Sequence, residues 1–192
     1  MSKSILRFLI FISMLLIGSL LAYYFSNMWF VAIWYASLFV LSLYFTVKTG
    51  ESLTTLFKID GKWILKSILC LPLVYLLIAI VSFLFPTIQQ TTQLTKIDTT
   101  TAIIVALLGP ISEEMAFRGY AQGIVRRKMS VNSTIMISAL FFSLFHSFEV
   151  FPQIFVMSLV LSTVREVSGS IVPSMIIHCL NNTVALLVNF FV

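Results

Sequence analysis

The sequence predicts an all-α, polytopic transmembrane helical bundle of about seven spans, and three observations carry that expectation. The chain of 192 residues is 59% hydrophobic and only 10% charged, whereas soluble domains carry roughly 25% charged residues. Folded in water, it would expose a very large apolar surface. Its apolar runs approach the ~20 residues a spanning helix needs, and they do not alternate as barrel strands do. Its basic residues fall in every second loop, which is an orientation signal.

The first span is expected from about Phe8 to Phe25, after Lys3 and Arg7. This start imitates a signal peptide, but no convincing small-residue cleavage site follows, so it reads as a retained helix. Only Ser26 and Asn27 separate it from a second span, about Met28 to Phe45, which makes the two a tight antiparallel hairpin. A polar loop from Thr46 to Lys66 follows, in which Leu53 to Phe57 could form a short interfacial helix. The third span runs from about Ser67 to Phe85, with Pro72 expected to kink it. Pro86 to Thr100 is a Thr- and Gln-rich loop.

The fourth span starts near Thr101 and closes at Arg126-Arg127-Lys128. Gly109-Pro110 is expected to bend it, with Ser112 capping a restarted helix. The fifth (about Val131 to His146) and sixth (about Phe151 to Val164) are on the short side. Ser168-Gly169-Ser170 turns the chain into the seventh, about Ile171 to Val192. The chain divides into N-terminal transmembrane helices and loops at 1–99 and a chemistry-bearing core at 100–192.

Lys3 and Arg7, then Lys48, Lys58, Lys62 and Lys66, then Arg126, Arg127 and Lys128, then Arg165 fall on one side, and the opposite loops hold only Lys96. The N-terminus is therefore expected in the cytoplasm and the C-terminus outside, in a multi-pass protein of the cell membrane. The net charge of +5 belongs to this loop pattern. No aromatic-interleaved basic patch accompanies it, so nucleic-acid binding is not expected. Cys70 and Cys179 both lie in apolar segments without a CxxC pattern, which argues against a disulfide or a thiolate metal site.

Ionisable residues at membrane depth are costly and mark functional candidates. Glu113, Glu114 and Arg118 form the first such group. Glu114 and Arg118 are spaced to pair along one helix face. Glu113 lies about 100° around the helix and is left less neutralised, which suits a general base. The plain alternative is a structural ion pair that pins helices. His146, at the end of Phe142-Ser-Leu-Phe-His146, is the second candidate. Alone, such a histidine is more often a packed polar residue. The third is His178-Cys-Leu-Asn-Asn182. His178 and Asn182 share a face and could donate to a developing oxyanion, or serve as interhelical glue. Asn181 is also close enough in register to take that part.

Together these residues fit two mechanisms. In one, a carboxylate and a histidine activate water while the other histidine and asparagine hold the oxyanion. In the other, His146 and His178 bind zinc and the glutamate acts as base. No HExxH stands behind the zinc version.

The three stretches resemble the motifs of the CPBP family, the CAAX proteases and bacteriocin-processing enzymes also called the Abi family. Its pattern of EExxxR, FxxxH and HxxxN is matched in order and spacing by Glu113-Glu114-Met-Ala-Phe-Arg118, Phe142-Ser-Leu-Phe-His146 and His178-Cys-Leu-Asn-Asn182. Phe117, Gly119 and the Gly169-Ser170 pair upstream of Pro173 are also similar to the family's extended pattern. The resemblance covers roughly residues 100 to 190 and implies an intramembrane endopeptidase. Glu113 and His146 would position the attacking water, His178 and Asn182 would form the oxyanion site, and Glu114 and Arg118 would support it.

Family members are described both as metalloproteases and as metal-free glutamate proteases. No cofactor is expected here, with zinc as the alternative. The compact chain favours a bacterial member, with a small peptide or membrane-protein segment as substrate, such as a leader peptide or a bacteriocin; prenylated substrates are not expected. Two other functions fit the same residues. One is a non-proteolytic bacteriocin immunity or binding protein. The other is a proton-coupled transporter, against which the lack of an internal repeat counts.

Overall fold

The computed structural model describes residues 3–24, 27–85 and 98–191. Every regular element among them is helical. Helix α1 spans Lys3–Tyr24 and α2 spans Met28–Lys48, the latter opened by Asn27, whose side chain accepts from the Trp29 amide. A single turn, α3 (Leu53–Leu56), lies in the following loop. Helix α4 runs Gly61–Leu84, α5 runs Thr99–Arg126, α6 runs Val131–Ser143, α7 runs Phe151–Ser168 and α8 runs Val172–Phe191.

The helices α1, α2, α4, α5 and the stretch Phe148–Ser168 that contains α7 are each long and apolar enough to cross a membrane. Two shorter apolar helices, Val131–Ser143 and Val172–Val188, complete the seven. The chain is a multi-pass membrane protein.

Several boundaries differ from expectation for identifiable reasons. Helix α4 begins at Gly61, not near Ser67, because Asp60 caps it by accepting from the Lys62 amide at 3.0 Å. Lys62 and Lys66 thus ride on its first turns, and the helix continues through Pro72. The sixth span is longer than expected, because a 3₁₀ turn at Phe148–Val150 leads directly into α7. The expected loop after α4, with Lys96, lies largely outside the described residues.

Helix α5 carries the largest correction. Gly109-Pro110 does not break it, and Ser112 caps nothing: its buried hydroxyl has no hydrogen-bond partner. The chain instead stays helical by widening into two π turns, Ile104–Leu108 and Met115–Ala121. Such wide turns tend to occur at functional sites. Proline has no amide hydrogen and would orphan a carbonyl one turn back. The Gly109 amide reaches to the Ile104 carbonyl, so the Val105 carbonyl loses both its α and its π donor. The site described below supplies the replacement.

Packing follows membrane rules, with small and polar residues where helices meet. Ser138 and Ser143 of α6 and Ser158 and Ser162 of α7 are all buried, and these two helices are in extensive contact. Large apolar side chains face outward along α4, including Leu65, Leu69, Leu73, Leu76 and Phe83. Exposed leucine and phenylalanine are costly in water and suited to lipid. The main core joins α1, α2, α5 and α6 through Phe11, Leu38, Phe45, Phe117, Tyr120 and Phe142.

The basic loops meet at one end of the bundle. Arg7 donates to the Lys48 carbonyl at 3.1 Å, and Arg127 donates to the Thr49 carbonyl. The Glu51 carboxylate joins Arg127 at 3.5 Å and Arg165 at 3.1 Å, while Arg126 pairs with Glu166 at 3.1 Å. Four chain segments expected on one membrane face are therefore adjacent. In addition, Ser170 donates to the carbonyls of Leu56 and Lys58, tying the turn before α8 to α3. That turn forms where Gly169 takes a φ of 70°, a left-handed conformation that ends α7.

Candidate active site

Of the site residues expected from sequence, Glu114, Arg118 and His178 meet in one hydrogen-bonded group, with Glu113 beside it. The second π turn of α5 carries Arg118, and the preceding α turn carries both glutamates. Glu114 and Arg118 are fully buried, with Nη1 3.0 Å from Oε1. The same carboxylate oxygen lies 3.0 Å from Nδ1 of His178 on α8. Arg118 Nη2 donates to the Ser158 hydroxyl on α7 at 2.7 Å, and the guanidinium stands 4.3 Å from the centroid of the Phe142 ring on α6. Glu114 and Arg118 thus pin α5 to three neighbouring helices. A buried charge pair is tolerable only with this kind of surrounding donor and acceptor set.

Glu113 points elsewhere. Its Oε1 accepts from the Tyr35 hydroxyl of α2 at 3.0 Å, and its Oε2 is 3.8 Å from Nε2 of His178. It remains partly accessible and lines a cavity of about 220 Å³ together with Tyr35, Trp34, Phe117 and His146. Adjacent carboxylates therefore have divided surroundings, one locked among charges and one at an open space.

His146 is not inside a helix as expected. α6 ends at Ser143, and His146 sits in the turn after it. Its Nδ1 is 3.0 Å from the Phe142 carbonyl, which satisfies a carbonyl at the helix end. A carbonyl can only accept, so Nδ1 carries the proton and Nε2 of the neutral ring is an acceptor. The Phe142 ring contacts both His146 (centroids 4.5 Å apart) and His178 (5.9 Å). The spacing of FxxxH therefore serves two ends: the phenylalanine forms the wall between the histidines while its carbonyl orients one of them.

Asn182 lies one turn beyond His178 and donates through Nδ2 to the Val105 carbonyl at 3.0 Å. That is the carbonyl which Pro110 and the π turn leave without a backbone donor. Its Oδ1 accepts from the side-chain Nδ2 of Asn181 at 3.3 Å. His178 and Asn182 share a face, as their spacing predicts, but they meet α5 at two different levels.

Tyr35 and Ser158 were not singled out from sequence. A tyrosine hydroxyl deep in an apolar run needs a polar partner, and that was the available signal for Tyr35. Its approach depends on Gly109: a Cβ there would lie 3.2 Å from Cζ of the Tyr35 ring. Ser158 gave no signal, because serine is common at packed membrane-helix faces.

The zinc alternative would draw on His146 and His178. Among the described residues no group of three or more His, Cys, Asp or Glu side chains could hold a metal ion. Both Nδ1 atoms are engaged, by a carbonyl and by Glu114, which leaves Nε2 as the remaining nitrogen of each ring.

No curated protein and no solved structure matches the chain. A protein family does: residues 95–184, which contain all three motifs, match the family described as Type II CAAX prenyl endopeptidase Rce1-like. Over these residues the chain is similar to the CPBP/CAAX protease family.

Proposed function

We propose that the chain is a metal-free intramembrane endopeptidase in which Glu113 and His146 activate water inside the bundle. The observation that carries this reading is the shared cavity: the less paired glutamate and a histidine with an acceptor nitrogen line the same space of about 220 Å³. That space suits water and the edge of an extended peptide, not a folded protein. Glu113 takes a proton from the water, assisted by His146 Nε2, and the resulting hydroxide attacks the scissile carbonyl carbon. The proton then passes from Glu113 to the leaving amine as the C–N bond breaks.

His178 and Asn182 are the proposed oxyanion donors. Glu114 accepts at Nδ1 of His178, so the ring offers an Nε2–H to substrate only as an imidazolium. Glu114 and Arg118 position this ring and take no proton themselves.

The substrate class we propose is a peptide or membrane-protein segment, with bacteriocin processing or self-immunity as the biological setting and a bacterial plasma membrane as the location. The N-terminus would face the cytoplasm. Reconstituted protein offered a peptide set, prenylated and unprenylated, tests this by mass spectrometry of new termini. The reading expects cleavage products that are absent with His146→Ala protein of normal melting temperature. A full yield of the same products from the variant would remove His146 from the mechanism.

A further inference from the structure

A second, larger cavity of about 450 Å³ opens at the end of the bundle where the basic loops meet, between α1, the end of α2 and the end of α5. Four cationic side chains border it, Arg7, Lys48, Arg127 and Lys128, while its floor includes Phe8 and Tyr120. No carboxylate lines it. Glu51 offsets Arg127 but is shared with Arg165. No ion pair among the described residues engages Arg7, Lys48 or Lys128. Arg7 commits Nη1 to the Lys48 carbonyl, and its buried Nε has no hydrogen-bond partner. Buried donors in folded proteins are normally satisfied, and uncompensated like charges around a cavity repel.

We propose that this cavity binds an anionic phospholipid, its phosphate among Arg7, Lys48 and Lys128 and its first acyl carbons against Phe8 and Tyr120. The phosphate supplies the missing acceptors and the negative charge. The apolar floor has no use for a free anion but matches the start of a lipid chain, and the site lies at one end of a membrane-spanning bundle, where headgroups are. Basic pockets between spanning helices at that level suit such headgroups.

The site is separate from the Glu113 cavity, with Phe117 at one and Tyr120 at the other along the same helix. Purified full-length protein in detergent is titrated with short-chain phosphatidylglycerol, with phosphatidylcholine of the same chain length, and with inorganic phosphate. Binding and melting temperature are read.

The proposal expects saturable binding and stabilisation by phosphatidylglycerol alone. Arg7→Gln/Lys128→Gln should weaken that binding by at least about tenfold, and Lys128→Gln alone, at an exposed loop position, by about fivefold. The control pair Lys62→Gln/Lys66→Gln, at the same end but outside the cavity, should leave it unchanged. Equal binding of inorganic phosphate would overturn the lipid assignment in favour of a free-anion site. Equal losses from the control pair would overturn the site itself in favour of general surface attraction, as would the absence of saturable binding.

Discussion

The Tyr35 hydroxyl donates to Glu113 Oε1 at 3.0 Å, joining residues 78 positions apart on α2 and α5. It is the one hydrogen bond among the described residues that holds the proposed base. Tyr35→Phe should keep the ring packed and the melting temperature close to that of the parent. Cleavage should fall roughly ten- to a hundredfold, the worth of one hydrogen bond to a charged group. Gly109→Ala should act in the same direction, because its methyl presses the Tyr35 ring. An unchanged rate with Tyr35→Phe would separate the tyrosine from the reaction.

Arg118 and Glu114 carry architecture. Both are fully buried, so Arg118→Ala leaves a charge inside the bundle without its counterion. Breaking such a pair typically costs about 3–5 kcal/mol. The expected outcome is low expression and a lowered melting temperature, and any remaining folded protein should have a displaced His178. A variant of normal stability would show that Glu114 is held by its other neighbours alone.

Asn182 has two proposed tasks, and they can be read separately. Asn182→Ala removes the donor to the Val105 carbonyl, which should cost roughly 1–3 kcal/mol of stability. It also removes an oxyanion donor, which should cost about 10²–10³ in rate. A variant that loses stability but keeps its rate would assign the side chain to helix packing only.

The fold class, the helix order and the gathering of the glutamate pair with His178 were legible in the sequence, because apolar run length and polar spacing are local signals. The loops that meet at Glu51 were legible through their charge. The π turns of α5 were not, since Gly109-Pro110 reads equally as a break; only the competition for the Val105 carbonyl, resolved by Asn182 from another helix, decides it. The division of labour between Glu113 and Glu114 was only half visible. Spacing paired Glu114 with Arg118, but Tyr35 and the cavity come from tertiary packing of α2 on α5. His146 was read as helical because the apolar run continues past Ser143, where the chain in fact turns.

Topology gives a further test. Cysteines at positions 58 and 127 should both be labelled only from the cytoplasmic side, and a cysteine at 92, outside the described residues, only from the exterior. External labelling at 127 without labelling at 92 would invert the orientation.

Metal content separates the two chemistries. Active purified protein should contain less than stoichiometric zinc by elemental analysis and keep its rate under chelation. One zinc lost together with activity would overturn the metal-free mechanism and support a site at His146 and His178.

The most direct measurement of the central claim is the cleavage rate of Glu113→Gln protein, taken beside its melting temperature. Glutamine keeps the shape and can still accept from Tyr35, but it cannot take a proton from water. The account predicts a normally folded protein whose rate is lower by about 10²–10⁴. A normally folded Glu113→Gln protein that cleaves at the parent rate would contradict it and leave the three motifs to binding or architecture.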